Sequence, residues 1–264
     1  MVIIAGHIDL SVGSVCAFVG ATVALAMKDW NFTWWMAILL GIVIGILVGM
    51  WQGFWVAYVG IPAFIVTLAG YMFFRGANQW VGQSLTVPVP KDFQVLGAGY
   101  LPEWGPDTGM NNSTLLLGIV AIAVLAWMQL AQRRALIKVN AEVPPMWVTI
   151  TRIVLLAVVI AYLTWMYGTG RPGTSFPIPG LILVGLVILY SWVTQRTITG
   201  RHIYAVGGNR LAAELSGVNT KRTYFLVMMN MSILAAFAGM MFVGRSTASG
   251  PFDGVGWELD AIAA

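Results

Sequence analysis

Long apolar stretches separated by short polar ones run through most of the 264 residues of this chain. A helix that crosses a hydrocarbon layer needs roughly 20 mainly apolar residues, because each residue adds about 1.5 Å. The pattern predicts membrane helices over residues 12–27, 34–59, 113–131, 147–167, 180–194 and 223–243. We therefore expect an all-α polytopic membrane protein.

A seventh apolar stretch, at residues 61–74, is shorter and is followed by the polar side chains of Arg75, Asn78 and Gln79. Polar groups at membrane depth are tolerated where they line a cavity or the protein interior. Two alternatives remain open for this stretch: a short or broken helix beside a pathway, or a tilted plain span. The total is about seven membrane segments, one of them short or broken.

Glycines at positions 41, 45 and 49 recur every four residues, so they share one face of the second predicted helix. Small residues at this spacing allow another helix backbone to approach closely. Oligomerisation through this face is possible, but packing within one helix bundle is the interpretation we favour.

Composition supports the membrane class, since 59% of the residues are hydrophobic, 9% are charged and the mean hydropathy is +0.82. Soluble domains average about 25% charged residues. The net charge of +4 does not indicate a nucleic-acid partner, because the basic residues gather between predicted spans. A single cysteine, Cys16, excludes an internal disulfide, and no metal-ligand spacing or cofactor motif is present.

The basic residues also predict which connections face the cytoplasm, since Lys and Arg near span ends resist translocation. The connections at residues 132–143 and 195–222 are rich in Lys and Arg, so we expect both to be cytoplasmic. The connection at 81–112 has Lys91 as its only basic residue against Asp92, Glu103 and Asp107, so we expect it outside.

The cytoplasmic stretch 195–222 contains a predicted short helix lying parallel to the membrane. Asn209 can cap its start, residues 211–215 are good helix formers, and Gly217 suits the left-handed residue after a helix end. We expect Gly200, Gly207 and Gly208 to border this helix. An ordinary cytoplasmic loop is the alternative on composition alone.

Four motifs carry a resemblance to a known family: HIDLSVGS at 7–14, PAFIVTLAG…RG at 62–76, GRHIYAVGGNRLAAELSGV at 200–218 and ELDAIAA at 258–264. The chain resembles bacterial sugar ABC transporter permeases of the ribose, arabinose, galactose and xylose group, and within it most resembles the xylose permeases. Family members have more membrane segments than the seven counted here. The resemblance therefore implies one transmembrane permease domain over residues 1–264, a fragment lacking spans at both ends.

The resemblance also implies function and partners. The chain would be the membrane subunit of an ATP-driven sugar importer, multi-pass in the lipid of the bacterial cytoplasmic (inner) membrane, with no nucleic-acid partner. Its expected partners are a separate ATP-binding cassette ATPase, a periplasmic or extracellular sugar-binding protein and a second permease protomer. The family's loop contacts the ATPase, which assigns coupling to Gly200, Arg201, Gly207, Gly208, Asn209, Ala212, Glu214 and Gly217.

Residues with suitable polar chemistry are candidates for the translocation pathway: Asp9, Ser11, Asn78, Gln79 and Asn230. A carboxylate is costly in lipid, so Asp9 must be paired, protonated or directed at a polar space. We favour a structural role for Asp9, in which it caps the helix that begins near Ser11.

Several chemistries are missing from the sequence. No phosphate-binding G-x-x-x-x-G-K-[ST] loop, G-x-S-x-G or H-E-x-x-H motif occurs. Without that phosphate-binding loop the chain cannot be its own ATPase by that route, and the resemblance implies a transport subunit and not an enzyme, with ATP hydrolysis on a partner. Two alternatives remain: an ion-coupled secondary transporter, which Asp9 favours, and a membrane-embedded enzyme, which would need clustered His, Asp or Glu on facing helices.

Overall fold

The computed structural model describes residues 1–105, 109–138, 142–170 and 175–263. These residues are mostly helical, with only two two-residue strands, which confirms the all-α prediction. Asp107 in the outer connection and Ala264 at the end of the ELDAIAA motif lie outside the described residues. The helices are α1 (Val12–Asp29), α2 (Trp34–Phe54), α3 (Ala63–Val81), α4 (Lys91–Ala98), α5 (Asn112–Lys138), α6 (Met146–Gly168), α7 (Ile178–Arg196), α8 (Ile198–Gly208), α9 (Arg210–Leu215), α10 (Thr220–Ser246) and α11 (Trp257–Ala263).

Six of the described helices are long and apolar enough to cross a membrane: α1, α2 with its last turn, α5, α6, α7 and α10. Each coincides with one of the six stretches predicted from the apolar pattern. The seventh predicted segment is α3, an unbroken helix of 19 residues, as long as α7 and longer than α1. It is thus neither short nor broken, and the polar side chains of Arg75, Asn78 and Gln79 in its second half set it apart from the six apolar spans.

The last turn of α2 widens into a π-helix at Trp55–Val59 and stops at Gly60, whose φ is +85°. Glycine has no Cβ, so it adopts this left-handed conformation at little cost. Pro62 then precedes the first turn of α3, where its missing N–H leaves no bond unmade.

By contact density the chain divides into two units, one made of Met1–Ala98 with the residues from Ile182 onward, and one made of Gly99–Leu181. In the first unit α10 is central. It packs antiparallel to α2, since Gly41 lies against Met240 and Gly53 lies against Phe225. It packs parallel to α1, since Cys16 lies against Gly239 and Gly20 against Val243.

The glycine face of α2 is the reason that α2 and α10 approach so closely. A Cβ placed on Gly45 would lie 2.7 Å from the Cβ of Ala236, and one placed on Gly49 would lie 2.6 Å from the Cα of Met229. Non-bonded carbon atoms do not approach each other that closely, so a side chain at either position would force neighbouring atoms to shift. The prediction that these glycines pack within one bundle is confirmed.

Residues 82–98, in the connection that the sequence predicts to lie outside, form a small structure within the first unit. Two short strands, β1 (Val87–Pro88) and β2 (Ala248–Ser249), pair antiparallel, with Val87 opposite Ser249. Helix α4 then packs against the end of α10, where the Phe93 side chain is fully buried. This part of the connection thus has structure of its own and joins the core of α1, α2 and α10.

The second unit is built on an antiparallel pair, α5 and α6. Gly118 of α5 faces Thr164 of α6, and the Arg133 guanidinium donates to the Thr149 hydroxyl at 3.3 Å. At the other end the Thr114 hydroxyl accepts the backbone N–H of Phe176 at 3.1 Å. Most other side chains on these two helices are exposed, as suits helices that face lipid.

Candidate coupling surface and translocation pathway

The connection at residues 195–222 folds as two helices, α8 and α9, where the sequence predicted one. Helix α8 follows α7 after Thr197, whose hydroxyl caps α8 by accepting the Gly200 N–H at 3.2 Å. Gly200, Gly207 and Gly208 do not border a single helix, because all three lie within α8. Little in the local sequence indicated α8, since glycine is a poor helix former.

Helix α9 has the boundaries expected for the predicted coupling helix. The Asn209 side chain accepts the Ala212 N–H at 3.0 Å, which caps the helix start. After the helix, Gly217 has a φ of +84°. The cap at Asn209 and the left-handed glycine at Gly217 are both confirmed, and together they hold α9 as a defined short helix.

One side of α9 is anchored and the other is open. Ala213 is buried in a cluster that includes Ile203, Val206 and Val227. Leu211 and Leu215, by contrast, are 71% and 85% exposed, and Ala212 is exposed with them. Residues four apart lie on the same side of a helix, so the two leucines form one open apolar face.

Polar contacts fix the rest of α9. Nε of Arg210 lies 3.1 Å from Oε1 of Glu214, and the Thr220 hydroxyl donates to the same oxygen at 2.7 Å. The Thr220 hydroxyl and, after it, the Arg210 guanidinium hold the pKa of the Glu214 carboxyl below its ordinary value. These contacts tie α9 to the first turn of α10. Arg201 lies exposed on α8.

Gly207 is required by a close contact with the N-terminal segment. A Cβ at this position would overlap the carbonyl oxygen of Ile4, so the N-terminal segment lies directly on α8 here. Gly208 has open space around it and no such requirement. The backbone leaves α8 at Asn209, whose conformation is extended with φ −155°.

Asp9 is buried immediately before α1. One carboxylate oxygen accepts the Ser11 N–H at 2.6 Å and the Ser11 hydroxyl at 2.7 Å. Ser11 is the residue before α1, so Asp9 fixes the entry to the helix and does not, as the sequence had suggested, cap an N–H within it. The other oxygen, Oδ2, is buried without a hydrogen-bond partner among the described residues. Asp9 also lines an apolar cavity of about 500 Å³ between the N-terminal segment, α10 and α11.

Ser11 belongs to a buried polar chain that joins three helices. The Gln52 amide of α2, fully buried, donates to the Ser11 hydroxyl at 2.7 Å. Its oxygen accepts the Ser232 hydroxyl of α10 at 3.4 Å. Sequence reasoning missed Gln52, although a lone amide within a 26-residue apolar helix was a usable signal.

The remaining pathway candidates lie apart from one another. The Asn78 amide donates to the Pro251 carbonyl at 3.2 Å, so it holds the loop after β2. Asn230 accepts the Tyr190 hydroxyl of α7 at 2.5 Å. Gln79, by contrast, lines an open cavity at the ends of α1 and α3. The structure joins Asp9 with Ser11 and places Asn78, Gln79 and Asn230 elsewhere.

Comparison with known proteins places the chain among permeases. It matches the family described as branched-chain amino acid transport system / permease component over residues 1–264. It is 37% identical over 264 residues to the xylose transport system permease protein of Haemophilus influenzae, covering 100% of this chain and 68% of that protein.

Two further relatives come from Escherichia coli. Its xylose transport system permease protein is 36% identical over 264 residues, covering 100% of this chain and 64% of that protein. Its ribose import permease protein is 42% identical over 99 residues, covering 37% of this chain and 30% of that protein. The chain therefore spans about two thirds of the length of the xylose relatives. No solved structure matches it.

Proposed function

Since the chain belongs to the family described as branched-chain amino acid transport system / permease component, we propose that it is the membrane subunit of an ATP-driven sugar importer, with a pentose, D-xylose, as its substrate. The sugar is supported by relatives at 36% and 37% identity over all 264 residues, which are named xylose transport system permeases. The chain is a multi-pass protein of the bacterial inner membrane.

The observation that carries the proposal is the open apolar face of α9. Leu211 and Leu215 are exposed, while Asn209, Ala213 and Glu214 hold the helix in place from the other side. Complete burial of an exposed leucine side chain stabilises a complex by about 1.5–3 kcal/mol. This face suits a groove on a separate ATPase.

In the proposed cycle, an external binding protein delivers the sugar and two permease protomers enclose the pathway. ATP binding to the partner moves α9. Because Ala213 packs against α10 and Thr220 bonds Glu214, that movement is transmitted to α10, the central helix of its unit. The ligands thus bias an equilibrium between two states of the subunit.

The test replaces both leucines of α9 with serine, Leu211→Ser with Leu215→Ser. Both side chains are already exposed, so membrane expression and thermal stability should stay close to the parent. Copurification of the partner ATPase should fall at least tenfold, which is about 1.4 kcal/mol.

The matched control is Ile198→Ser, which removes an apolar side chain that is 63% exposed on α8, in the same connection. It should leave ATPase association unchanged. Normal association of the double variant, or equal loss in the control, would remove the coupling role from α9.

A further inference from the structure

An open cavity with a volume of about 690 Å³ lies at the ends of α1 and α3 farthest from α9. Sites for small molecules usually measure roughly 300–1,000 Å³. All of its lining residues belong to the first unit, on the side where the basic-residue pattern predicts the exterior. It therefore lies where a substrate would first meet the subunit.

Its lining combines flat aromatic surface with uncharged polar groups. Two exposed indoles, Trp30 and Trp80, stand beside the side chains of Gln79, Gln83 and Ser84. Among the described residues, none of these three polar side chains makes a hydrogen bond within the chain. Two amides and one hydroxyl thus remain open for a ligand with hydroxyl groups.

The turn after α3 fixes where these polar groups stand. Gln83 and Ser84 both have left-handed backbones, with φ of 51° and 55°, which is uncommon for residues other than glycine. The Ser84 N–H bonds the Gln79 carbonyl at 2.8 Å, and the Leu85 N–H bonds the Gly82 carbonyl at 2.9 Å. Such conformations persist where neighbouring bonds enforce them, and they concentrate at ligand sites.

The side chains that line the cavity favour a sugar over a free amino acid as the ligand. A free amino acid carries a carboxylate and an ammonium group, both of which need charged or strongly polar partners when desolvated. The described residues that line this cavity include no charged side chain. The hydroxyls of a pyranose can hydrogen-bond to the amides, and the apolar face of its ring can stack on an indole. A pyranose would therefore contact both the polar and the aromatic side chains of the lining.

We propose that this cavity is an outer loading site for a monosaccharide, in which Trp80 stacks on the sugar ring and Gln79, Gln83 and Ser84 bind its hydroxyls. The proposal rests on the function proposed above, which supplies the sugar class. Interfacial tryptophans also anchor membrane proteins without binding any ligand. The experiment must therefore separate these two roles of an indole.

The probe is radiolabelled D-xylose, bound at equilibrium to the full 264-residue chain in lipid nanodiscs, with L-leucine as the competing non-sugar. Saturable D-xylose binding should occur that L-leucine does not displace. Two variants should each weaken the affinity for D-xylose on the order of tenfold: the single variant Trp80→Leu and the double variant Gln79→Ala with Gln83→Ala. A loss of this size corresponds to about one or two hydrogen bonds.

The matched control is Trp35→Leu, which removes another exposed indole from the start of α2 that does not line the cavity. It should leave D-xylose affinity unchanged. Absent D-xylose binding, displacement by L-leucine, or equal effects of Trp35→Leu and Trp80→Leu would each overturn the loading site. ATPase copurification in the same preparations is measured separately, so failure of this site is distinguishable from failure of the importer function.

Discussion

At the scale of single residues, Gln52 is the side chain on which the buried polar chain depends, because it bridges Ser11 and Ser232. Replacing it by leucine keeps the volume but removes both bonds. Hydrogen bonds between membrane helices contribute about 0.5–2 kcal/mol. Gln52→Leu should therefore lower the thermal unfolding midpoint in nanodiscs, while Gln195→Leu, exposed at the end of α7, should not. Equal midpoints would show that the bridge contributes no stability.

The alternative of an ion-coupled transporter is favoured by one observation, that Oδ2 of Asp9 has no hydrogen-bond partner among the described residues. Substitutions of Asp9 therefore distinguish it from an ATP-driven importer. In its structural role, Asp9 needs only to supply an oxygen that accepts the Ser11 N–H. Asp9→Asn retains that oxygen and should preserve stability. Asp9→Ala leaves a buried N–H unpaired and should cost about 1–3 kcal/mol.

The transport readout for these two variants is D-xylose uptake into vesicles that contain the ATPase and the binding protein. An importer carrying Asp9→Asn should still take up sugar when ATP is present and an ionophore has removed the ion gradients. Uptake that follows the ion gradient in the parent and disappears in Asp9→Asn would instead establish ion coupling.

At the scale of elements, the contact between α2 and α10 depends on the absence of side chains at the glycine face. Gly49→Ala places a carbon 2.6 Å from the Met229 Cα, and a backbone atom cannot move aside cheaply. Overpacking of this kind costs about 1–3 kcal/mol. Gly49→Ala should therefore lower the stability of the folded chain measured by thermal unfolding in nanodiscs.

Gly76 of α3 provides the matched control, because an added Cβ there meets no atom of the described residues within 4 Å. Gly76→Ala should be neutral or stabilising by up to about 1 kcal/mol, since alanine is the better helix former. If both substitutions had the same effect, helix propensity would explain the result and close packing would not.

At the scale of the whole molecule, the alternation of basic and acidic connections predicts orientation in the membrane. A reporter that is active only outside the cytoplasm should be active when fused at Gly99 and inactive at Glu142 and Asn209. The opposite pattern would reverse the orientation. The directions of the packed helices agree with this alternation, since α1 runs parallel to α10 and α2 runs antiparallel to it.

The sequence by itself determined the membrane spans and the boundaries of α9. Both are local properties: a span is a continuous apolar run of sufficient length, and a helix end depends on a cap such as Asn209 or a left-handed residue such as Gly217. The sequence also indicated that Gly41, Gly45 and Gly49 face a neighbouring helix, because their spacing puts them on one side.

Only the tertiary structure decided which side chains meet and which remain open. Ala212 and Ala213 are chemically identical neighbours, yet Ala213 is buried and Ala212 is exposed, because α10 and α8 cover one side of α9. Likewise Gln52 reaches Ser11 from 41 positions away. The neighbouring side chains of Asn78 and Gln79 have different surroundings because successive residues point about 100° apart on a helix. These assignments depend on contacts between distant parts of the chain, about which a local pattern carries no information.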